Sequence, residues 1–210
     1  MFKVTQDEIE SQKQIDKGKV DLNKNFKKSF NEQEELIKVF VKSINHCDFN
    51  SFSDDKVIWN AAGYVNLISL DLKHFERDLA FADDEWGKRI YGRMISMLIY
   101  ESMSDLLELL GKDFRAILKK LFISEELNIE LNGISKILND YKSKNLERLR
   151  DIRNVATAHR DKDIMEQINM IESIGWIELI ELGTLYDKIL NRLGQFLQKV
   201  INISVIELKK

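Results

Sequence analysis

From Asp54 onward, apolar side chains return every three or four positions, at Val57, Ile58, Ala61, Val65, Ile68, Leu72, Phe75 and Leu79. That is the period of one helix face and not the alternation of a half-buried strand, so a long helix is predicted after Ser53. A second stripe runs through Ile90, Met94, Met97, Leu98, Met103, Leu106, Leu107 and Leu110. Asp83 and Asp84 precede it, and Gly111 sits where a left-handed C-cap would end it. Residues 113–131 read as shorter pieces started by Asp113 and Ser124, and Asn132-Gly133 reads as a turn before the chain re-enters a helix. That helix carries Ile134, Ile137, Leu138, Tyr141, Leu146, Leu149, Ile152 and Ala156. After a break near 160–163, Asp163 followed by Glu166 marks another start. The last segment, Trp176 to Leu208, is apolar at Leu182, Leu185, Ile189, Leu193, Phe196, Leu197 and Val200, with Gly175 as the joint before it.

The N-terminal region is patterned more weakly. Thr5 with Glu8, and Asn31 with Glu34, have the spacing of capping boxes, which predicts two helix starts. Between them Gln12 to Lys28 offers few apolar anchors, whereas Leu36, Val39, Phe40 and Ile44 form a stripe. The pattern therefore predicts an all-α fold, a helical bundle of long amphipathic helices. It forms one domain over 1–210, with about 1–30 as a loosely packed N-terminal arm.

Composition agrees with that picture and narrows it. The 210 residues include no proline and only nine glycines, so unbroken helices are permitted throughout. With 44% hydrophobic and 32% charged residues the chain can bury a core, which argues against disorder. The single cysteine, Cys47, rules out a disulfide framework and fits a reducing cytoplasm. No apolar stretch approaches the length of about 18 residues that a membrane helix needs, and the N-terminus has no signal-like apolar region. The net charge of −3 gives the whole molecule no basic field, so a nucleic-acid partner has to be met locally.

One segment supplies such a place. Leu146 to Asp163 reads LERLRDIRNVATAHRDKD, where basic side chains, a histidine and small residues converge. Between Lys142 and Asp163 seven basic residues stand against four acidic ones, a local +3. Within it Arg153-Asn154, four further residues and His159 form an R-N-x4-H string.

This string resembles the signature of the HEPN superfamily, helical-bundle domains that share an arginine, usually followed by a polar residue, and a histidine four to six residues later. Arg153, Asn154 and His159 match those positions. The resemblance is specific over some 15 residues and otherwise rests on the helical frame. It implies metal-independent RNA cleavage without a cofactor, by a homodimer that brings two motifs into one cleft. Such enzymes often serve as the toxin of a toxin-antitoxin pair or in phage defence, so an antitoxin protein is a further implied partner. Arg153 and His159 would be catalytic, with Asn154, Arg150 and Arg160 binding substrate. A non-catalytic HEPN-like module that binds protein or nucleic acid is the alternative. In one subset of the family a tyrosine two residues beyond the histidine is modified by a nucleotidyltransferase antitoxin; here that position is Asp161, which argues against regulation by that route.

Helix geometry constrains the mechanism. Six residues of ideal helix place Arg153 and His159 about 120° apart around the axis and about 9 Å apart along it. A single straight helix would not aim both at one phosphate, whereas a two-fold pair of chains can set one copy's arginine beside the other's histidine. An RNA 2′-hydroxyl would then attack the adjacent phosphorus. Imidazole, with an unperturbed pKa near 6.5, would move the protons, and the planar guanidinium would neutralise charge on the transition state.

Other residues with chemical potential read as structural. His46 and Cys47 lack the spaced partners that zinc needs, and His74 lies inside a helix stripe. Glu101 and Asp105 read as exposed helix charges, and Met94, Met97 and Met103 as core filler. Gly87 and Gly92 suggest close helix contact and not phosphate binding, because no G-x-G-x-x-G or Walker pattern is present. The run from Lys24 to Lys28 reads as a solvated face.

Overall fold

Without proline and with continuous stripes, the chain builds helices far longer than average. The computed structural model describes residues 4–121, 123–156 and 163–207. Among them are seven α-helices and no strand: α1 (Gln6–Phe49), α2 (Ser53–Ala80), α3 (Glu85–Leu109), α4 (Lys112–Lys120), α5 (Glu125–Ala156), α6 (Ile164–Glu172) and α7 (Trp176–Glu207).

Side-chain bonds between helices give their directions. Tyr64 of α2 donates to Asp105 of α3, while Ser69 of α2 donates to Asp187 of α7 and Tyr141 of α5 donates to the Leu182 carbonyl of α7. Sequence numbers rise on one partner as they fall on the other at the α2/α3, α2/α7 and α5/α7 seams. The α3/α7 contacts, Gly92 with Leu179 and Ser102 with Tyr186, rise together. Thus α2, α3, α5 and α7 form an up-down four-helix arrangement in which α2 runs parallel to α5 and α3 parallel to α7, the second pair being in contact across the bundle. α1 lies antiparallel along the outside of α2, with Phe30 stacked on His74 at 3.8 Å between ring centroids.

The stripes predicted on α2, α5 and α7 supply the core. Ile58, Ala61, Val65, Ile68, Leu72 and Leu79 of α2 are buried against Leu193, Phe196, Leu197 and Val200 of α7 and Leu131, Ile134, Leu138 and Leu149 of α5. Burial of each such side chain stabilises by about 1.5–3 kcal/mol. On α3 the stripe is rotated from expectation. Ile95, Ile99, Met103 and Leu106 are buried, whereas Ile90 is exposed and Met94 and Met97 lie on the flanks.

Three local expectations are corrected by tertiary packing. Asn31 starts no helix, because α1 runs through it, anchored on both sides by the buried Phe30 and by the Gln33 carbonyl, which accepts from Asn66 at 3.1 Å. Asn132-Gly133 makes no turn. α5 passes through it between the fully buried Leu131 and Ile134, and Asn132 accepts from Arg115 of α4 at 2.8 Å. Gly111 is not left-handed; at φ −75° it is the N-cap of α4, and its glycine identity reflects crowding, since a Cβ there would stand 2.7 Å from the Glu108 carbonyl oxygen. Gly92 does mark close helix contact, with Leu179 Cδ1 2.7 Å from where a Cβ would lie.

The Thr5–Glu8 box is present and does more than cap α1. Glu8 N donates to Thr5 Oγ1 at 3.2 Å while Thr5 N donates to Glu8 Oε2 at 2.9 Å. The same carboxylate accepts from Trp176 N, at the start of α7, and lies 3.7 Å from Arg89 of α3. Glu8 is 4% and Arg89 1% exposed, so one buried carboxylate ties three helices together at the N-terminal ends of α1 and α7. From there to Phe30 no residue of α1 is buried.

Candidate functional site

Arg153 lies in the last turn of α5 and its guanidinium is held from three directions. Nε donates to Glu101 Oε1 of α3 at 2.5 Å, NH1 donates to Asn154 Oδ1 at 3.1 Å, and Cζ stands 5.2 Å from the centre of the Tyr100 ring. A charge-assisted bond on one edge and a π-face beneath the plane fix the group more firmly than either would alone. Its side chain is 22% exposed, and NH2 makes no hydrogen bond among the described residues. The result is a semi-buried, oriented guanidinium with one amino group uncommitted.

His159 and Arg160 lie outside the described residues. Of the motif, the structure therefore brings together Arg153 and Asn154, and Asn154 serves the arginine directly. The helices on either side of 157–162 are well anchored. Asp163 caps α6, with its Oδ1 accepting from Met165 N at 2.8 Å and Glu166 N at 3.2 Å, as the sequence predicts. α6 folds back along α5, so that Arg148 of α5 donates from NH2 to the Ser173 carbonyl at 2.8 Å and pairs with Glu178 of α7 at 3.3 Å. Beneath this reversal Ile152, Ile174 and Leu179 form a small buried cluster of their own.

The local positive charge read from the sequence is reduced in three dimensions. Arg153 meets Glu101 and Arg148 meets Glu178, two carboxylates supplied by other helices. Arg150 is paired at 3.6 Å with its neighbour Asp151, and with 49% of its side chain exposed it remains accessible to a ligand. Lys142 donates to Ser104 Oγ across to α3 at 3.1 Å.

Sequence reasoning named Glu101 as a helix charge and gave Tyr100 no role, and it placed neither beside Arg153. Glu101 is an exposed helix charge, as expected, but an engaged one, and its partner lies 52 positions away. No local pattern announces such a pair. Asp105, one turn further along α3, accepts from Tyr64 at 2.6 Å; burial first, and then this carboxylate, push the Tyr64 hydroxyl well above its ordinary pKa. Glu101 and Asp105 are thus each occupied by a different neighbour.

Cys47 is 3% exposed, and burial, with Asp55 and Asp48 adding to it, pushes its thiol pKa up, which suppresses the thiolate. Among the described residues no three His, Cys, Asp or Glu side chains group as metal ligands, and no helix is long and apolar enough to cross a membrane. No family model matches the chain, and no curated protein or solved structure matches it either.

Proposed function

We propose that this protein is a metal-independent endoribonuclease of the HEPN type, with Arg153 and His159 acting on a scissile phosphodiester in a site shared by two copies of the chain. The observation that carries the reading is the hold on Arg153. Glu101 and Tyr100 fix the guanidinium plane, Asn154 Oδ1 accepts a hydrogen bond from NH1, and NH2 is left to donate to a phosphate oxygen. Such preorganised charge stabilises a phosphorane-like transition state without reorganisation at the moment of reaction.

In the reaction, the RNA 2′-oxygen forms a bond to phosphorus as the 5′-oxygen leaves. His159 takes the proton from the 2′-hydroxyl or returns one to the leaving oxygen. The products are a 2′,3′-cyclic phosphate and a 5′-hydroxyl. Arg150 and Arg160 contact the flanking backbone. The family resemblance extends this reading to the toxin of a toxin-antitoxin pair or to phage defence.

A second reading is favoured by the same ion pair. If Glu101 claims Arg153 permanently, the arginine is a strut between α3 and α5 and the domain is a non-catalytic binding module. RNA incubated with the protein in EDTA separates the two. The nuclease reading expects cyclic-phosphate ends from the wild type, and their loss in His159→Ala with the helical circular dichroism unchanged. RNA left intact by the wild type, or cleaved equally by His159→Ala, removes it.

A further inference from the structure

On the α5/α7 seam, away from Arg153, an open groove of about 580 Å³ runs between the two helices. Its apolar surface comes from two matching stripes, Ile134, Ile137 and Tyr141 on α5 and Leu182, Leu185 and Ile189 on α7, each spaced i, i+3, i+7. Ile137 is 37% and Leu185 50% exposed, so the apolar character reaches the surface. The bond from Tyr141 to the Leu182 carbonyl, 2.9 Å, crosses between the helices and fixes their spacing.

The rim is basic. Lys144 on α5 and Lys188 and Arg192 on α7 line the groove, opposed only by Asp140. All three cations are exposed and none has an ion pair or hydrogen bond among the described residues. This contrasts with Arg148, Arg150, Arg153 and Lys199 on the same two helices, each of which is paired with a carboxylate. Lys136 of α5 is also unpaired and lies outside the groove, so three of the four exposed cations of α5 and α7 that have neither an ion pair nor a hydrogen bond among the described residues line the uncovered apolar surface.

We infer that this groove docks an acidic amphipathic helix of a partner protein. Shape decides against a small ligand. All the walls come from two helices, so the groove is open along its length, whereas small-molecule pockets enclose most of the ligand surface. From Ile134 to Asn145 it spans about 16 Å, or about three helical turns, which suits a helix presenting apolar residues at i, i+3 or i+4, and i+7. Charge decides the partner. A second copy of this chain packed on the same face would set Lys144, Lys188 and Arg192 against their own counterparts, while glutamates flanking an apolar stripe would pair with them. The inference is independent of the nuclease reading and is tested without RNA.

The test uses two fluorescein-labelled synthetic helical peptides of about 18 residues, with leucines at the i, i+3/i+4, i+7 positions and either glutamates or lysines beside them. Both are titrated against the full chain by fluorescence anisotropy. Three rim pairs of modest strength give a preference of roughly tenfold or more for the Leu/Glu peptide. Leu185→Asp should weaken that peptide by a similar factor while keeping the wild-type circular dichroism. Lys144→Glu, Lys188→Glu and Arg192→Glu combined should reverse the preference. No saturable binding of the Leu/Glu peptide, equal binding of both peptides, or an unchanged order in the triple variant overturns the inference. It is also overturned if phosphatidylglycerol vesicles displace the peptide, which makes the face a membrane surface. Conversion of a wild-type dimer to monomer by Leu185→Asp in sedimentation overturns it too, because the occupant is then a second copy.

Discussion

Glu76 of α2 is pressed against the α7 backbone, so close that a Cβ on Gly183 would stand 2.5 Å from its Oε1. That oxygen is buried and has no hydrogen-bond partner among the described residues. Lys73, three residues back on the same helix, is engaged elsewhere, donating to Ser69 Oγ at 2.6 Å and to Asp187 Oδ1 at 3.2 Å. Burial, reinforced by the Asp187 charge and only partly opposed by Lys73, pushes the Glu76 carboxyl from 4.5 up to about 7. Ionising it in the folded protein therefore costs about 3 kcal/mol more than in the unfolded chain. Below pH 4.5 both states hold the proton and no cost arises. As pH rises from there to about 7 the unfolded chain releases its proton first, so stability falls, and above about 7 the whole cost is present. Glu76→Gln keeps the shape and the neutral form at every pH. Urea unfolding followed by circular dichroism should give nearly equal stabilities at about pH 4. By about pH 8 the variant should lead by about 3 kcal/mol, or about 6–12 °C in Tm for a chain of this size. A difference that stays constant across that range, or a variant less stable at pH 8, refutes the assignment of the cost to this carboxylate.

Two further substitutions test the packing. Glu8→Ala removes the capping box partner, the bond to Trp176 N and the longer of two ion pairs made by a 1%-exposed arginine, which keeps Glu85 at 2.7 Å, and should cost about 2 kcal/mol in chemical unfolding; a loss below about 0.5 kcal/mol would mean that the α1 terminus is not held there. Tyr186→Phe deletes the buried bond to Ser102, 2.8 Å long, at the α3/α7 contact and should cost about 1 kcal/mol, seen as a fall of about 2–4 °C in a thermal melt. An unchanged melt would count against that bond.

Helix extents on α2, α3, α6 and α7 follow from the sequence because they depend on neighbours within a few positions. Stripe period, the Asp84 and Asp163 caps and the absence of proline act locally and reinforce one another. Where a local signal stood alone, packing overrode it. The helix cost of Asn132-Gly133 is about 1–2 kcal/mol, less than the burial of Leu131 and Ile134 on either side returns. Asn31 gave way in the same manner, with Phe30 and Gln33 engaged across α2.

The chain's own order of residues determined an all-helical molecule and the arginine-asparagine pair that ends α5, since both are written in contiguous positions. Tertiary structure alone decided what surrounds them. That Glu101 would grip Arg153, that Glu178 would absorb Arg148, and that Lys144, Lys188 and Arg192 would be left unmatched beside an uncovered apolar groove depends on which helices lie side by side. Helix formation needs partners three or four residues away, whereas charge pairing needs them within about 4 Å in space, and only the packed bundle sets that distance.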